Sequence, residues 1–288
     1  MRLNKRISLF DVIVHSILII VSICMLYPLL NTVAVSLSGD HAIMTNQVTI
    51  FPKDFTLKSY EYFLDNKDVI RAYANSVLYT AVGVCWNVFM TVLMAYPLSR
   101  DKVIGRKTII KLVVFTMFFN GGTIPTYLVV KETGLLDSMW ALIIPQSIWT
   151  MELLIVISFF RGLPSGLFEA AEIDGASEFQ MFYKIALPLS KASIASIALF
   201  YFMGHWNSYY LPMLYLDDPN KFPLQLILRS MLMKANESST MAILAESAIV
   251  PTGIKSAVIV ITMIPVLLVY PFVQKFFVKG VTVGAIKG

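Results

Sequence analysis

The chain has 288 residues, 57% of them hydrophobic, and only 14% charged, with a mean hydropathy of +0.71. A soluble domain of this size carries about 25% charge, and Gly (14) and Pro (13) are too ordinary for a collagen-like or low-complexity chain. What remains is an all-α integral membrane protein. The net charge of +5 is modest, as expected of lysines and arginines near an inner membrane face rather than of nucleic-acid binding.

A spanning helix needs about 20 mostly apolar residues. Six stretches qualify, near 12–36, 72–98, 109–130, 139–160, 192–215 and 255–277. The first follows MRLNKR, as a secretory leader would. It is too long for a leader's apolar core and no small-residue cleavage site follows, so it reads as a retained span. Spans three and four are interrupted by Asn120-Gly121-Gly122, Pro125 and Pro145. Such breaks survive in a bilayer only where neighbouring helices or a cavity satisfy the freed backbone.

Lysine and arginine set the orientation. The short loop 99–108 holds Arg100, Lys102, Arg106 and Lys107 and is the strongest vote for both termini being cytoplasmic. Residues 161–191 then form a cytoplasmic loop, and 37–71 and 216–254 are outer loops. The first outer loop reads as a short extended piece followed by an amphipathic helix. In the second, LQLILRSMLM is too short and too charged to span, and reads as a surface helix or structured loop.

The cytoplasmic loop contains EAAEIDGASEFQMFYKIALP, residues 169–188. Ser165 is a candidate helix cap. Phe168, Ala171, Gly175, Phe179 and Phe182 would share one stripe if the helix ran on, but Gly175 favours a bend or C-cap. Pro188 should stop the second helix before span five. Glu169, Glu172, Asp174 and Glu178 run against the basic bias of cytoplasmic loops and do not suit an anionic leaflet. They suit either water or a basic groove on a soluble partner, and Ala170 and Ala171 permit close approach of another backbone.

Elsewhere the chain carries little site chemistry. Cys24 and Cys85 lie in apolar runs, and His15, His41 and His205 show no ligand spacing, so neither a metal site nor a catalytic constellation is expected. No P-loop motif occurs. A hydroxyl-rich solute held within a membrane protein calls for aromatic faces and hydrogen-bonding groups. His205, Trp206, Asn207, Tyr209 and Tyr210 in span five supply these, as do Asn120 and Gln146. The same aromatics also suit packing between helices or an interfacial belt. Glu152 sits inside span four, where a carboxylate is costly; it either pairs with a donor on a neighbouring helix or lines a path through the membrane.

Glu169, Ala170, Ala171, Gly175, Ile185, Leu187 and Pro188 reproduce the signature loop of ABC importer permeases. FFNGGTIPTYLVVKETGLLDSMWALIIP (118–145), FFRGLP (159–164), LFYFMGHWNSYYLPMLYL (199–216) and YPFVQKFFVKGVTVGAIKG (270–288) extend the likeness over nearly the whole chain. They resemble the carbohydrate-uptake branch of binding-protein-dependent type I importers, in particular oligosaccharide importers. The resemblance implies a six-helix permease fold in the bacterial plasma membrane. It implies four kinds of partner: a second homologous permease, two ATP-binding subunits that hold ATP and Mg, an extracellular solute-binding protein, and a sugar. It makes 169–188 the coupling helix, with Glu169, Ala170, Ala171, Glu172, Asp174, Gly175, Ile185, Leu187 and Pro188 at or beside the ATPase contact. In the maltose importers of this family the loop between the last two spans reaches into the binding protein, and 216–254 corresponds to it. Relatives often read asparagine then arginine where this chain has Glu152 and Ile157. A permease for another solute, such as a peptide, shares the loop. An intramembrane enzyme or a channel acting alone would instead show paired acids or histidines at membrane depth.

Overall fold

The computed structural model describes residues 9–119, 121–241 and 252–285. In chain order the helices are α1 (Leu9–Ser36), α2 (Asp40–Met44), α3 (Lys58–Asp65), α4 (Lys67–Ser99), α5 (Arg106–Phe118), α6 (Thr123–Glu132) and α7 (Met139–Ile143). They continue as α8 (Thr150–Arg161), α9 (Ser165–Ile173), α10 (Glu178–Met181), α11 (Leu187–Leu189), α12 (Lys191–Trp206), α13 (Tyr210–Tyr215), α14 (Leu224–Met241) and α15 (Thr252–Ala285). No strand occurs among the described residues.

Among the described residues, three helices are long and apolar enough to cross a membrane: α1, α4 and the Thr252–Pro271 part of α15. Bent pairs raise the number to as many as six. The α7 stretch, ending at Gln146, meets α8 at 51°, and the Glu178–Leu189 stretch meets α12 at 77°. The expected span 192–215 is therefore α12 followed by a separate α13. The break has a local cause. The Asn207 side-chain amide donates to the Met203 carbonyl at 2.9 Å, giving the backbone an alternative to a further helical turn.

The chain divides into two compact units, Met1–Ile70 with Leu228–Ile264, and Arg71–Ile227 with Pro265–Gly288. In the first, α1 is apolar all round, and of its residues only Ala34 and Ser36, near its end, are buried. A stripe-less apolar helix is what lipid selects. Residues 46–57 fold back on the end of α1 through Gly39 N–H to the Lys53 carbonyl (3.1 Å) and the Asn31 amide to the Thr49 carbonyl (2.7 Å). The amphipathic helix expected in this loop is α3, which buries Ser59 and Phe63, and Tyr60 hydrogen-bonds Ser36 at 2.7 Å. The five-residue α2 is too short to leave a period in the sequence.

The second unit packs around Val92, Ala95 and Tyr96 of α4, Leu153, Val156 and Phe160 of α8, and Ile197 and Tyr201 of α12. Its polar seam lies at the break after α7, where Pro145 and the following residues leave backbone groups free. Asn87 donates to the Gln146 carbonyl, Trp86 to the Ser147 hydroxyl (2.8 Å), and the Trp149 amide to the Tyr201 hydroxyl (3.2 Å). The Tyr201 and Thr91 hydroxyls share a hydrogen bond at 2.6 Å. Neighbouring spans thus satisfy the break, as a low-dielectric setting requires.

Two glycines permit this closeness. A Cβ at Gly204 would lie 2.1 Å from the Trp149 ring, and one at Gly83 would lie 2.6 Å from His205. Gly204→Ala is expected to destabilise the unit by about 1–3 kcal/mol through overpacking. Gly166→Ala meets nothing within 4 Å and is expected to be neutral or slightly stabilising. Thermal unfolding in detergent, followed by tryptophan fluorescence, checks the pair.

Candidate functional site

Residues 165–190 form two helical arms with a glycine joint. Ser165 is the first residue of α9 rather than its cap; Pro164 takes the cap position and offers no side-chain acceptor. At the other end Gly175 adopts φ +76°. Its N–H reaches the Glu172 carbonyl (3.0 Å) and the Ala176 N–H reaches the Ala171 carbonyl (2.9 Å). This paired closure satisfies carbonyls of the last turn and needs a left-handed residue, which glycine supplies without strain.

The second arm starts with a capping box: Ser177 Oγ accepts from the Gln180 N–H (3.2 Å) and Gln180 Oε1 from the Ser177 N–H (2.9 Å). The Ser-x-x-Gln spacing at 177–180 was the sequence signal for it. The expected stop at Pro188 does not occur there. A π-helical turn over Phe182–Ala186 runs straight into α11, which contains Pro188, and the chain breaks two residues later at Ser190. The wider turn leaves helical carbonyls without the usual i+4 donor, and a proline has none to offer.

The signature residues divide by burial. Ala171, Ile185 and Leu187 pack against the core, while Glu169, Ala170, Asp174 and Pro188 are exposed. Phe168 is buried and Phe179 is 72% exposed, so the projected stripe of aromatics is split at Gly175.

The four acids divide as well. Lys102 Nζ lies 2.7 Å from each Glu172 oxygen, and Arg100 Nη2 lies 3.2 Å from Glu172 Oε1. Arg100 Nε is 4.0 Å from Glu178 Oε2, which also accepts from the Tyr96 hydroxyl at 3.0 Å. The guanidinium sits over the Phe168 ring, 4.4 Å from its centre. The Lys102 contact, with Arg100 behind it, holds the Glu172 carboxyl below its ordinary pKa. Glu169 and Asp174 remain exposed, outside these ion pairs. Sequence reading had taken Arg100 and Lys102 only as orientation signals; nothing in the spacing links residues 70 positions apart.

The candidate pathway residues do not form one surface. Asn120 lies outside the described residues. Trp206 is buried, edge-on to Tyr73 (5.9 Å) and stacked with Phe202 (6.1 Å). His205 Nε2 hydrogen-bonds Asn87 Oδ1 at 2.7 Å. His205 and Gln146 line a cavity of about 30 Å³, which holds a water or two and no sugar ring. Glu152 is buried in the first turn of α8. Asn207, Tyr209 and Tyr210 are exposed, the last with its hydroxyl 3.4 Å from Thr123 Oγ1.

At the other end of α4 a second polar knot fixes residues 216–224. Asp137, with φ +53°, accepts the Asp217 and Asp218 amides at 3.0 Å each and pairs with Lys221. Asn75 donates to the Asn220 and Phe222 carbonyls (2.8 and 3.1 Å), Tyr79 to the Lys221 carbonyl (2.9 Å), and the Leu224 amide to Ser76 (2.8 Å).

A family model described as "Binding-protein-dependent transport system inner membrane component" matches residues 70–283. The chain belongs to this family. It is therefore a multi-pass permease of the bacterial plasma membrane and part of a binding-protein-dependent transport system. Among similar proteins, LplC of Bacillus subtilis (strain 168) is 45% identical over 91% of this chain and 89% of its own. YtcP of the same organism, named a polygalacturonan/rhamnogalacturonan transport system permease protein, is 41% identical over 97% and 99%. A chain in the crystal structure of a bacterial ABC transporter involved in import of the acidic polysaccharide alginate matches with a TM-score of 0.85 and 30% identity, over 96% of this chain and 99% of that one. The permease thus has the type I ABC importer fold.

The Lys221 hydrogen bond and the two backbone amides hold the Asp137 carboxyl down to about 2. A depressed acid contributes stability above its unfolded pKa of about 3.9 and loses it as pH falls through the folded value. The knot should therefore be unchanged from pH 8 to pH 5 and weaken only below about pH 4. Asp137→Ala should raise hydrogen exchange at the Asp217 and Asp218 amides by about tenfold or more, while pH within that range moves the wild-type rates only by the intrinsic chemical dependence. Exchange read by mass spectrometry on the detergent-solubilised protein checks both.

Proposed function

We propose that this permease forms one half of the translocation pathway of an ATP-driven importer of sugars, of the oligosaccharide class. The observation that carries the cargo class is the end-to-end likeness to YtcP, 41% identical over 97% of the chain, supported by the alginate importer. Both are named for saccharide polymers, and none of the named cargoes among the similar proteins cited here is a peptide. The chain itself performs no catalysis. ATP and Mg are held by two partner ATP-binding subunits, and a second homologous permease completes the pathway.

With both termini cytoplasmic, α9 and α10 face the ATPases, and α14 with the rest of 216–254 faces an extracellular solute-binding protein. Glu169, Ala170 and Asp174 offer the exposed acidic and small-residue surface for docking, beside the 86% exposed Ile173. Ala171, Ile185 and Leu187 anchor that surface to the core. Gly175 and Pro188 shape it, and Glu172 is held within the chain by Lys102. For the sugar path, Asn207, Tyr209 and Tyr210 present polar and aromatic groups at the surface of α12 and α13. Gln146, Glu152, His205 and Trp206, part-buried or buried, act as support or as a partner-facing wall, and Asn120 remains a candidate by residue type alone.

Uptake of labelled oligosaccharides into proteoliposomes holding the full complex and its binding protein tests the assignment. Neutral and uronate-containing oligomers are compared with peptides, and uptake of peptides alone would overturn it. Glu169→Lys should leave membrane insertion intact and abolish binding-protein-stimulated ATP hydrolysis; normal stimulation would remove the docking role. Gly175→Pro removes the left-handed joint and should also uncouple hydrolysis from transport, as read by the ratio of sugar moved to ATP consumed.

A further inference from the structure

The two polar clusters and the seam between them share one element. At one end of α4, Tyr96 and the adjoining Arg100 hold α9 and α10. Arg100 touches Phe168 and Glu172 before the Gly175 joint and Glu178 after it. Its side chain is only 19% exposed. One planar cation thus clamps both arms, so Gly175 is braced against free hinging. A guanidinium can do this where an ammonium cannot, since it stacks and donates from several edges at once.

In mid-helix, Asn87 and Thr91 bind the Gln146 carbonyl, His205 and Tyr201. At the far end, Asn75, Ser76 and Tyr79 hold residues 221–224. From Asn75 to Tyr96 the helix is unbroken, roughly 30 Å at 1.5 Å per residue. Glycine at 83 is the one residue there that opens a close approach, and His205 fills it.

We propose that α4 is the transmission rod of this permease: it carries displacement of the α9–α10 segment to the segment 216–224, with Arg100 as the positioning residue that engages it. This rests on the transporter reading above. Movement delivered to α9 cannot be absorbed at Gly175 while Arg100 grips both arms. It passes to α4, and the hydrogen bonds of Asn75, Ser76 and Tyr79 pass it on. In the reverse direction, a solute-binding protein settling on the outer segment alters the pose of α9–α10 through the same helix, as linkage requires.

The test uses the complete transporter in proteoliposomes, with basal ATP hydrolysis, binding-protein-stimulated hydrolysis and uptake measured together. Arg100→Ala should keep assembly and basal hydrolysis and lower the stimulation by about tenfold, within the usual range of coupling between sites. Arg100→Lys keeps the charge without the fork and should fall between. Asn75→Ala, at the other end of α4, should give the same phenotype as Arg100→Ala. The double variant should be no worse than the poorer single one, at about tenfold, because both cut one path. Independent losses at distant sites would multiply to about a hundredfold, and that result would overturn the rod. Unaltered stimulation in both Arg100→Lys and Asn75→Ala would also overturn it, even if Arg100→Ala failed to assemble. A wild-type complex with no stimulation by any binding protein would instead overturn the transporter reading itself.

Discussion

Inside a bilayer a freed backbone amide or carbonyl has no water to turn to, and this constraint organises the second unit. The chain interrupts its helices after Gln146 and again after Trp206. Each interruption survives because a side chain from another span reaches it or because its own side chain closes it. Asn87, Trp86, Thr91 and Tyr201 serve the first break, and Asn207 serves the second. Three of the four that serve the first break sit on α4. That helix is therefore fixed in place by polar contacts whose loss in hydrocarbon would cost several kcal/mol per group.

The same helix ends beside the α9–α10 segment, and there the constraint changes from desolvation to charge placement. Four acids in a short stretch repel one another. Lys102 and Arg100 neutralise Glu172, and Tyr96 with Arg100 holds Glu178. The acids so engaged fix the geometry of the two arms. Glu169 and Asp174 stay exposed, next to small and apolar surface at Ala170 and Ile173. Exposed ion pairs contribute little stability individually. Arg100 differs because it is largely covered and stacks on Phe168.

Among the candidate pathway residues the structure separates groups that composition puts together. Trp206 is buried, while the part-buried His205 and Gln146 line a cavity with room for water alone. Tyr209, Tyr210 and Asn207 stand at the surface. On the function proposed above, a half-pathway would expose the groups that a partner permease or cargo covers, and of these candidates Asn207, Tyr209 and Tyr210 have that exposure.

The sequence by itself read 192–215 as one span and missed the break after Trp206; it determined the membrane class, the break at Pro145, the glycine joint at Gly175 and the family to which the signature loop belongs. These are local properties: hydropathy over about 20 residues, a helix-breaking residue, a fixed spacing of a short motif. It did not place Ser165 or Pro188 correctly, because a neighbouring proline and a π-helical turn shift helix ends by a residue or two, which spacing does not register. Only the tertiary structure decided which acids are engaged within the chain, which aromatics are buried, and that Arg100 and Asn75 belong to one helix-borne system. Those facts depend on residues 70 to 150 positions apart meeting in space, as Arg100 with Glu172 and Asn75 with Phe222 do. In an all-helical membrane protein such meetings follow from how whole spans pack, and no local pattern of residue types encodes that.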